Sequence, residues 1–332
     1  MNFPGELIAL ITTLCWSLGI FPFTEATKRI GAVPVNTYRL LMALIIITLV
    51  LLIGYRLSFS EIIYSPSAKQ YQWLILSGII GFTLGDFFGF SSFVKLGPRL
   101  ASLYTTLGPG FALFFGFIFL NEKINFVGLI GIGITIGGVI WLTRSKKENE
   151  SRQIVGTKTG FAPDNPDSYR EGIIFGIGSA FCQGLGLTLS KMGLNDNSAA
   201  HHISEIHANW IRLSGAFAAA FLFSVVTGNL LNYARPVFKN KNNGVIFMFA
   251  GTIFGPVLGV SFSLIAISKI NVAVAQTIFA LLPVFVLPLN YLFYKEKITL
   301  NSILACLVSI CGVFVLIWRE VIFSVLQNFL PQ

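Results

Sequence analysis

Two thirty-residue stretches decide the fold, because they repeat one another at a constant offset. Residues 95–124 read KLGPRLASLYTTLGPGFALFFGFIFLNEKI, and residues 269–298 read KINVAVAQTIFALLPVFVLPLNYLFYKEKI. Aligned without a gap at an offset of 174, Pro109 meets Pro283, and the final Glu-Lys-Ile of one stretch meets that of the other. Each stretch is a long apolar run interrupted by proline. The sequence therefore predicts a duplicated membrane-spanning unit.

The correspondence continues outward from these two stretches. At the same offset Gly81 and Gly85 meet Gly255 and Gly259. Nearer the N-terminus the offset is 173, and Asn-Thr-Tyr-Arg at 36–39 meets Asn-Trp-Ile-Arg at 209–212. The small change of offset falls in a loop, as a diverged duplication would produce.

The composition is that of a polytopic membrane protein. Of the 332 residues, 54% are hydrophobic and only 11% are charged, whereas a soluble domain carries about 25% charged residues. This composition excludes soluble and disordered chains. The net charge of +9 is spread through short connectors, so it does not indicate a nucleic-acid surface.

Ten apolar stretches are long enough to cross a bilayer. They lie at 5–23, 36–54, 72–93, 98–120, 124–142, 172–190, 207–227, 245–266, 271–294 and 299–317. The chain divides into a first five-helix repeat, a polar linker, a second five-helix repeat and a tail, at 1–142, 143–171, 172–318 and 319–332.

Because each repeat has an odd number of spans, the second must be inverted relative to the first. The predicted fold is an all-α polytopic membrane protein with ten transmembrane helices as two inverted five-helix repeats. This arrangement is typical of secondary transporters, whose substrate site lies near the bilayer midplane between the repeats.

These features resemble the EamA family of the drug/metabolite transporter superfamily. The resemblance rests on Arg39 in span 2, Pro109 in span 4 and the Leu-Asn-Glu-Lys-Ile that closes span 4, repeated in the second half by Arg212, Pro283 and Tyr-Lys-Glu-Lys-Ile. It implies two EamA-like five-helix repeats that move small metabolites, often as export, driven by ion or substrate gradients. It supplies no catalytic residues.

Asp86 is the first candidate for the site, because it lies inside the apolar run FTLGDFFGF. A carboxylate at the bilayer centre costs ~2.5–3.5 kcal/mol on insertion scales, so it must face a cavity or a partner, or be protonated. One interpretation is a substrate or proton site. The other is an ion pair with Arg39 or Arg212 that holds helices together.

Two Asn–Arg pairs, Asn36 with Arg39 and Asn209 with Arg212, occupy equivalent positions in the two halves. A spacing of three places each pair on one helix face. A guanidinium fork there suits a carboxylate or phosphate. A structural role, with the Asn as a local hydrogen-bond partner of a snorkelling Arg, is the alternative and the one we favour.

Pro109 and Pro283 are expected to break spans 4 and 9, and Gly108 loosens the first break further. A carbonyl freed by such a break must find a partner or face a wet cavity. The breaks therefore predict either a gating kink or a static bend. Aromatic and amide side chains suit organic solutes, and the candidates for the substrate site are Trp16, Tyr104, Gln183 and Gln276.

The sequence lacks the motifs HExxH, GxSxG and GxxxxGK[ST], so we predict neither an enzyme nor an ATPase. The spacing of His201, His202 and His207 fits no regular metal site, and we expect no metal and no cofactor.

We expect a secondary transporter that moves small organic metabolites, with export as the favoured direction, by alternating access. The alternatives are a flippase for a lipid-linked substrate and a membrane subunit that transports nothing. The expected partners are a small-molecule metabolite and the lipid bilayer, with a homodimer left open and no nucleic acid. The expected location is the bacterial inner (cell) membrane, as a multi-pass protein.

The orientation of the termini stays open. Most Lys and Arg residues lie in connectors on the side opposite the termini. The positive-inside rule places that side in the cytoplasm, whereas the family resemblance implies the reverse.

Overall fold

A computed structural model describes residues 4–89, 91–92, 95, 104, 106–153, 166–196, 203–226, 228, 230–239, 243–294 and 299–329. All regular elements in this part of the chain are helices, so the predicted all-α class is confirmed. The apolar runs force this outcome, because backbone groups in a bilayer must satisfy one another within the segment.

The described part of the chain contains fifteen α-helices with the following bounds. They are α1 (Pro4–Ile30), α2 (Ala32–Leu49), α3 (Phe59–Tyr64), α4 (Ala68–Gly78), α5 (Gly108–Leu120), α6 (Phe126–Gln153), α7 (Pro166–Leu194), α8 (Glu205–Val226), α9 (Leu230–Phe238), α10 (Gly244–Thr252), α11 (Val260–Lys269), α12 (Val272–Phe279), α13 (Leu282–Tyr294), α14 (Leu300–Ile317) and α15 (Arg319–Phe329).

Eight segments of the described chain are long and apolar enough to cross a membrane, which makes this a multi-pass integral membrane protein. They are Gly5–Thr27, Val33–Gly54, Ala68–Gly89, Tyr169–Leu194, Glu205–Val226, Gly244–Lys269, Val272–Leu289 and Leu300–Ile317. Two shorter apolar helices accompany them, Gly108–Leu120 and Phe126–Leu142.

The two halves share local geometry at the offset found in the sequence. A π-helical turn at Ile79–Gly85 continues α4, and another at Ile253–Gly259 joins α10 to α11. Their bounds differ by 174 residues at both ends, as do those of α5 and α13. π-helical turns are rare and cluster at functional sites, and the first of these leads directly into Asp86.

The ends of the predicted linker are helical, which the sequence interpretation did not expect. Helix α6 continues to Gln153 and α7 begins at Pro166, while residues 154–165 lie outside the described part. The segment after the apolar part of α6 is rich in Lys, Glu and Arg, which are good helix formers even where no apolar face directs them. The tail likewise forms a helix, α15.

Helices α6 and α14 pack closely along glycines. A Cβ built on Gly138 would lie 2.4 Å from the Ser309 Oγ, and one on Gly312 would lie 2.4 Å from the Thr135 backbone nitrogen. Only glycine permits this approach of the two backbones. These faces of the last span in each half are therefore occupied within the chain, and a homodimer would have to use other surfaces.

Corresponding contacts join the halves near the centre. A Cβ on Gly85 would lie 3.2 Å from the Cys182 Cβ, and one on Gly259 would lie 2.3 Å from the Trp16 ring. These glycines thus bring the π-helical turn after α4 against α7, and the turn before α11 against α1. This packing positions the candidate residues described next.

Candidate functional site

A cluster of ionised side chains lies inside the helical bundle. Asp86, which follows the π-helical turn of α4, forms an ion pair with the Arg39 guanidinium on α2. The Arg39 Nε also donates a 3.0 Å hydrogen bond to the Asn36 Oδ1, and its guanidinium lies 5.3 Å from the centre of the Phe23 ring. The ion-pair partner of Asp86 is thus Arg39, one of the two candidates, and Asn36 is a hydrogen-bond partner of Arg39.

Arg212 on α8 approaches the same cluster from the second half of the chain. Its Nε donates a 2.8 Å hydrogen bond to the Ser77 Oγ, which itself lies 2.6 Å from the Ser190 Oγ. The guanidinium lies over the Phe82 ring, 4.7 Å from its centre. Asp86 acts on Arg212 electrostatically as well as on Arg39. The cluster therefore contains two guanidinium groups and one carboxylate, joined across the two halves.

Gly78 allows Arg212 to lie so deep, and Gly81 faces its guanidinium group. A Cβ on Gly78 would be 2.1 Å from the Arg212 carbonyl oxygen, and one on Gly81 would be 3.5 Å from its Nη2. Arg212 is only 3% exposed, and its Nη1 has no hydrogen-bond partner in the described part of the chain. A buried, charged donor without an acceptor is costly, which makes Nη1 a notable feature of the cluster.

Asn209 departs from the expected role of a local partner for Arg212. Its Nδ2 instead donates to the Pro256 carbonyl and to the Ser261 Oγ, both at 3.0 Å. Proline lacks an N–H, and the π-helical turn leaves the Pro256 carbonyl accessible to another helix. The Pro256 carbonyl therefore accepts a hydrogen bond from the Asn209 amide. The predicted symmetry of the two Asn–Arg pairs is therefore wrong in its contacts, although the residues occupy corresponding positions.

The two helix breaks meet at Gln276. A Cβ on Gly108 would lie 2.8 Å from the Gln276 Nε2, so the start of α5 touches the end of α12. Gln276 is buried, and its Oε1 has no hydrogen-bond partner among the described residues. Trp16 lies nearby, because its ring packs edge-on against Phe279 with centroids 4.9 Å apart. Sequence reasoning proposed both Trp16 and Gln276, and the structure places both around this break.

The prolines begin new helices rather than kinking continuous ones. Pro109 lies at the start of α5 and Pro283 is the second residue of α13, after the chain leaves α12 at Phe279. Proline fits a helix start because its missing N–H is not needed there. Thr105, which lies four residues before Pro109 and would carry the carbonyl freed by a proline kink, lies outside the described residues.

The other two predicted residues are Tyr104 and Gln183. Tyr104 packs against α7, where a Cβ on Gly176 would lie 2.8 Å from the Tyr104 Cβ. Gln183 is partly buried on α7. Among the described residues no hydrogen bond or ion pair links either side chain to Asp86, Arg39 or Arg212.

Sequence reasoning missed a buried ion pair at the other end of the bundle. Lys191 lies on α7, and Glu122 follows the end of α5. The Lys191 Nζ lies 2.6 Å from the Glu122 Oε1 and donates a 2.7 Å hydrogen bond to the Ile270 carbonyl. The other Glu122 oxygen accepts the Val272 N–H at 2.8 Å. The sequence does contain a signal for this ion pair, because a lysine inside the apolar run TLSKMG needs a buried partner.

No group of three or more His, Cys, Asp or Glu side chains is arranged to bind a metal ion in the described part of the chain. His207 instead lies 2.8 Å from the Ile62 carbonyl through its Nε2. His201 and His202 lie outside the described residues.

Comparison with known proteins identifies the family. The EamA-like transporter family matches residues 3–144 and 170–318. An uncharacterised transporter of Haemophilus influenzae is 24% identical over 176 residues, covering 53% of this chain and 52% of the relative. The uncharacterised inner membrane transporter YhbE of Escherichia coli K12 is 26% identical over 178 residues, covering 53% and 50%.

The chain thus spans about half the length of the curated relatives it matches. A solved crystal structure superposes with a TM-score of 0.67 at 18% identity, over 95% of this chain and 98% of that one, and so shares the fold. Since the family match covers most of the sequence, this chain belongs to the EamA-like transporter family of the drug/metabolite transporter superfamily.

Proposed function

We propose that this chain is a secondary transporter that moves small organic metabolites by alternating access, with export as the favoured direction. The observation that carries the proposal is the Arg39–Asp86–Arg212 cluster, in which ionised groups from both halves meet inside an apolar bundle. Such groups are expensive in a membrane, and they mark substrate or ion pathways.

Two inverted five-helix repeats of ten spans, at 1–142 and 172–318, are the architecture we propose for this movement. The matching π-helical turns and the matching bounds of α5 and α13 support a structural duplication. The corresponding contacts of Gly85 and Gly259 support it as well. Rocking of one repeat against the other would then expose the cluster to each side in turn.

Asp86 is proposed as a substrate-contacting or protonatable group in this cycle. The groups that face it are the guanidinium groups of Arg39 and Arg212. Release of the Asp86–Arg39 ion pair would link a change of substrate or proton occupancy to movement of α4 against α2. The bacterial inner membrane is the proposed location, since one relative is named as an inner membrane transporter.

The test compares small molecules inside and outside cells that express the unmutated chain, Asp86→Asn or Glu171→Gln at matched membrane levels. Glu171 is the control, because its carboxylate is 56% exposed and pairs with Lys95 away from the cluster. We expect a metabolite to redistribute with the unmutated chain and with Glu171→Gln, and to lose its redistribution or its pH dependence with Asp86→Asn.

Identical redistribution and pH dependence in all three strains would remove Asp86 from the mechanism while leaving transport in place. Redistribution of a lipid-linked molecule alone would favour a flippase. No redistribution of any molecule would contradict transport.

A further inference from the structure

The charges in the cluster do not balance. Arg39 and Arg212 supply two positive charges and Asp86 one negative charge, so these three residues leave one positive charge in excess. Arginine stays protonated in proteins and cannot relieve the imbalance by losing its proton. An uncompensated charge in an apolar interior is costly unless a counter-charge binds there.

The excess charge is located on Arg212. The Arg39 guanidinium is already paired with the Asp86 carboxylate and held by Asn36. Arg212 has only the neutral Ser77 hydroxyl on its Nε, and its Nη1 has no partner among the described residues. The side chain is 3% exposed, so bulk water does not serve as its routine acceptor.

We propose that Arg212 binds the single carboxylate of the transported metabolite through its Nη1, and that the ligand is therefore a monoanion at this site. The proposal rests on the transport function proposed above and names its substrate class. A carboxylate matches the planar donors of a guanidinium.

The charge excess distinguishes a carboxylate from a phosphate monoester. One carboxylate brings the three side chains and the ligand to neutrality. A phosphate monoester carries about −1.5 to −2 charges at pH 7, so it would replace a positive excess with a negative one. The rings of Phe82 and Phe23 lie against the two guanidinium groups and give the apolar part of such a ligand a surface to contact.

Asp86 acts in this arrangement as an internal competitor for the ligand. It neutralises one guanidinium group, and it repels a second anion that approaches Arg212. Asp86→Asn removes that repulsion and doubles the positive excess. The variant is therefore expected to shift the preference from monoanions toward dianions, which a purely structural ion pair would not do.

The experiment measures binding to the purified full chain in detergent, by calorimetry and by the shift of the unfolding midpoint. The probes are matched in shape and differ in charge: acetate with acetamide, benzoate with benzamide, 4-methylpentanoate with its amide, and phenyl phosphate as the dianion. We expect at least one carboxylate to bind about tenfold or more tightly than its amide. Arg212→Gln should lower the affinity for that carboxylate by about 10- to 100-fold, which is the range expected when a hydrogen bond to a charged group is lost.

Two further variants keep the test decisive if Arg212→Gln does not fold. Arg212→Lys keeps the positive charge but loses the paired donors of the guanidinium group. It should lower the affinity for the carboxylate less than Arg212→Gln does. Asp86→Asn should raise the affinity for phenyl phosphate relative to that for benzoate by about tenfold, because it removes a negative charge near the bound anion.

The proposal is wrong if none of the three acids binds better than its amide. It is also wrong if the unmutated chain prefers phenyl phosphate to benzoate, or if Asp86→Asn leaves that preference unchanged. If cells redistribute only neutral or cationic metabolites, the proposed transport function is supported and the proposed carboxylate site is contradicted. If carboxylates bind to the purified chain but no metabolite is redistributed in cells, the carboxylate site is supported and the transport function is contradicted.

Discussion

The ion pair of Lys191 and Glu122 gives the sharpest stability prediction. Both side chains are 11% exposed, and their charged atoms lie 2.6 Å apart. Lys191 also donates to the Ile270 carbonyl, and Glu122 also accepts the Val272 N–H. The pair thus fastens the end of α5 and the end of α7 to the start of α12. Lys191→Met leaves the Glu122 carboxylate buried without its counter-charge, which costs about 3–5 kcal/mol.

A double-mutant cycle separates the pair from its surroundings. We expect Lys191→Met and Glu122→Gln to be coupled by about 2–4 kcal/mol, because each single change strands the other partner. The assay is unfolding of the purified chain in mixed micelles of rising SDS content, followed by tryptophan fluorescence and circular dichroism.

The control is Lys95 with Glu171, another lysine–glutamate pair but a more exposed one. Its charged atoms are 2.5 Å apart, with side chains 29% and 56% exposed. Water screens such a pair, so its coupling should stay below about 1 kcal/mol. Equal coupling in the two cycles would refute the reasoning, because burial would then add nothing to the Lys191 pair.

Three further predictions concern packing and the site. Gly138→Ala should destabilise the same unfolding transition by about 1–3 kcal/mol through overpacking, whereas Gly137→Ala, which meets nothing within 4 Å, should be neutral or stabilising. Gln276→Leu should leave the protein at least as stable, since it removes an unsatisfied buried oxygen, yet it should reduce metabolite redistribution in cells. Asn36→Ala should destabilise by about 1–3 kcal/mol, because Arg39 loses a 3.0 Å hydrogen bond, and the unfolding midpoint measures it.

The all-α fold and the matching local geometry of the two halves were predictable, because their sequence signals are local and repeated. The apolar runs define helices without reference to distant residues. The offset of 174 between Pro109 and Pro283 recurs in the bounds of α5 and α13. The helical ends of the linker were not predicted, because apolar periodicity says nothing about a charged helix that leaves the membrane.

The cluster was predictable in its members but only partly in its contacts. Apolar surroundings marked Asp86 as needing a partner, and only two embedded arginines were available to it. The sequence did not distinguish Arg39 from Arg212, because that choice depends on how the segment that carries Asp86 lies relative to α2 and α8. The contact of Asn209 with Pro256 depends in the same way on packing between distant segments.

Alternating exposure of the cluster is the central claim, and the accessibility of a cysteine at position 81 tests it most directly. Among the described residues, a Cβ there would meet only the Arg212 Nη2, at 3.5 Å, which is an ordinary van der Waals distance. The Gly81→Cys chain would have its four native cysteines (Cys15, Cys182, Cys306 and Cys311) replaced by alanine. A membrane-impermeant thiol reagent is then added to sealed vesicles from one side or the other. Alternating access predicts modification from both sides, with a transported metabolite changing the two rates in opposite directions. Modification from neither side, or from one side only and unaffected by any metabolite, would contradict the account.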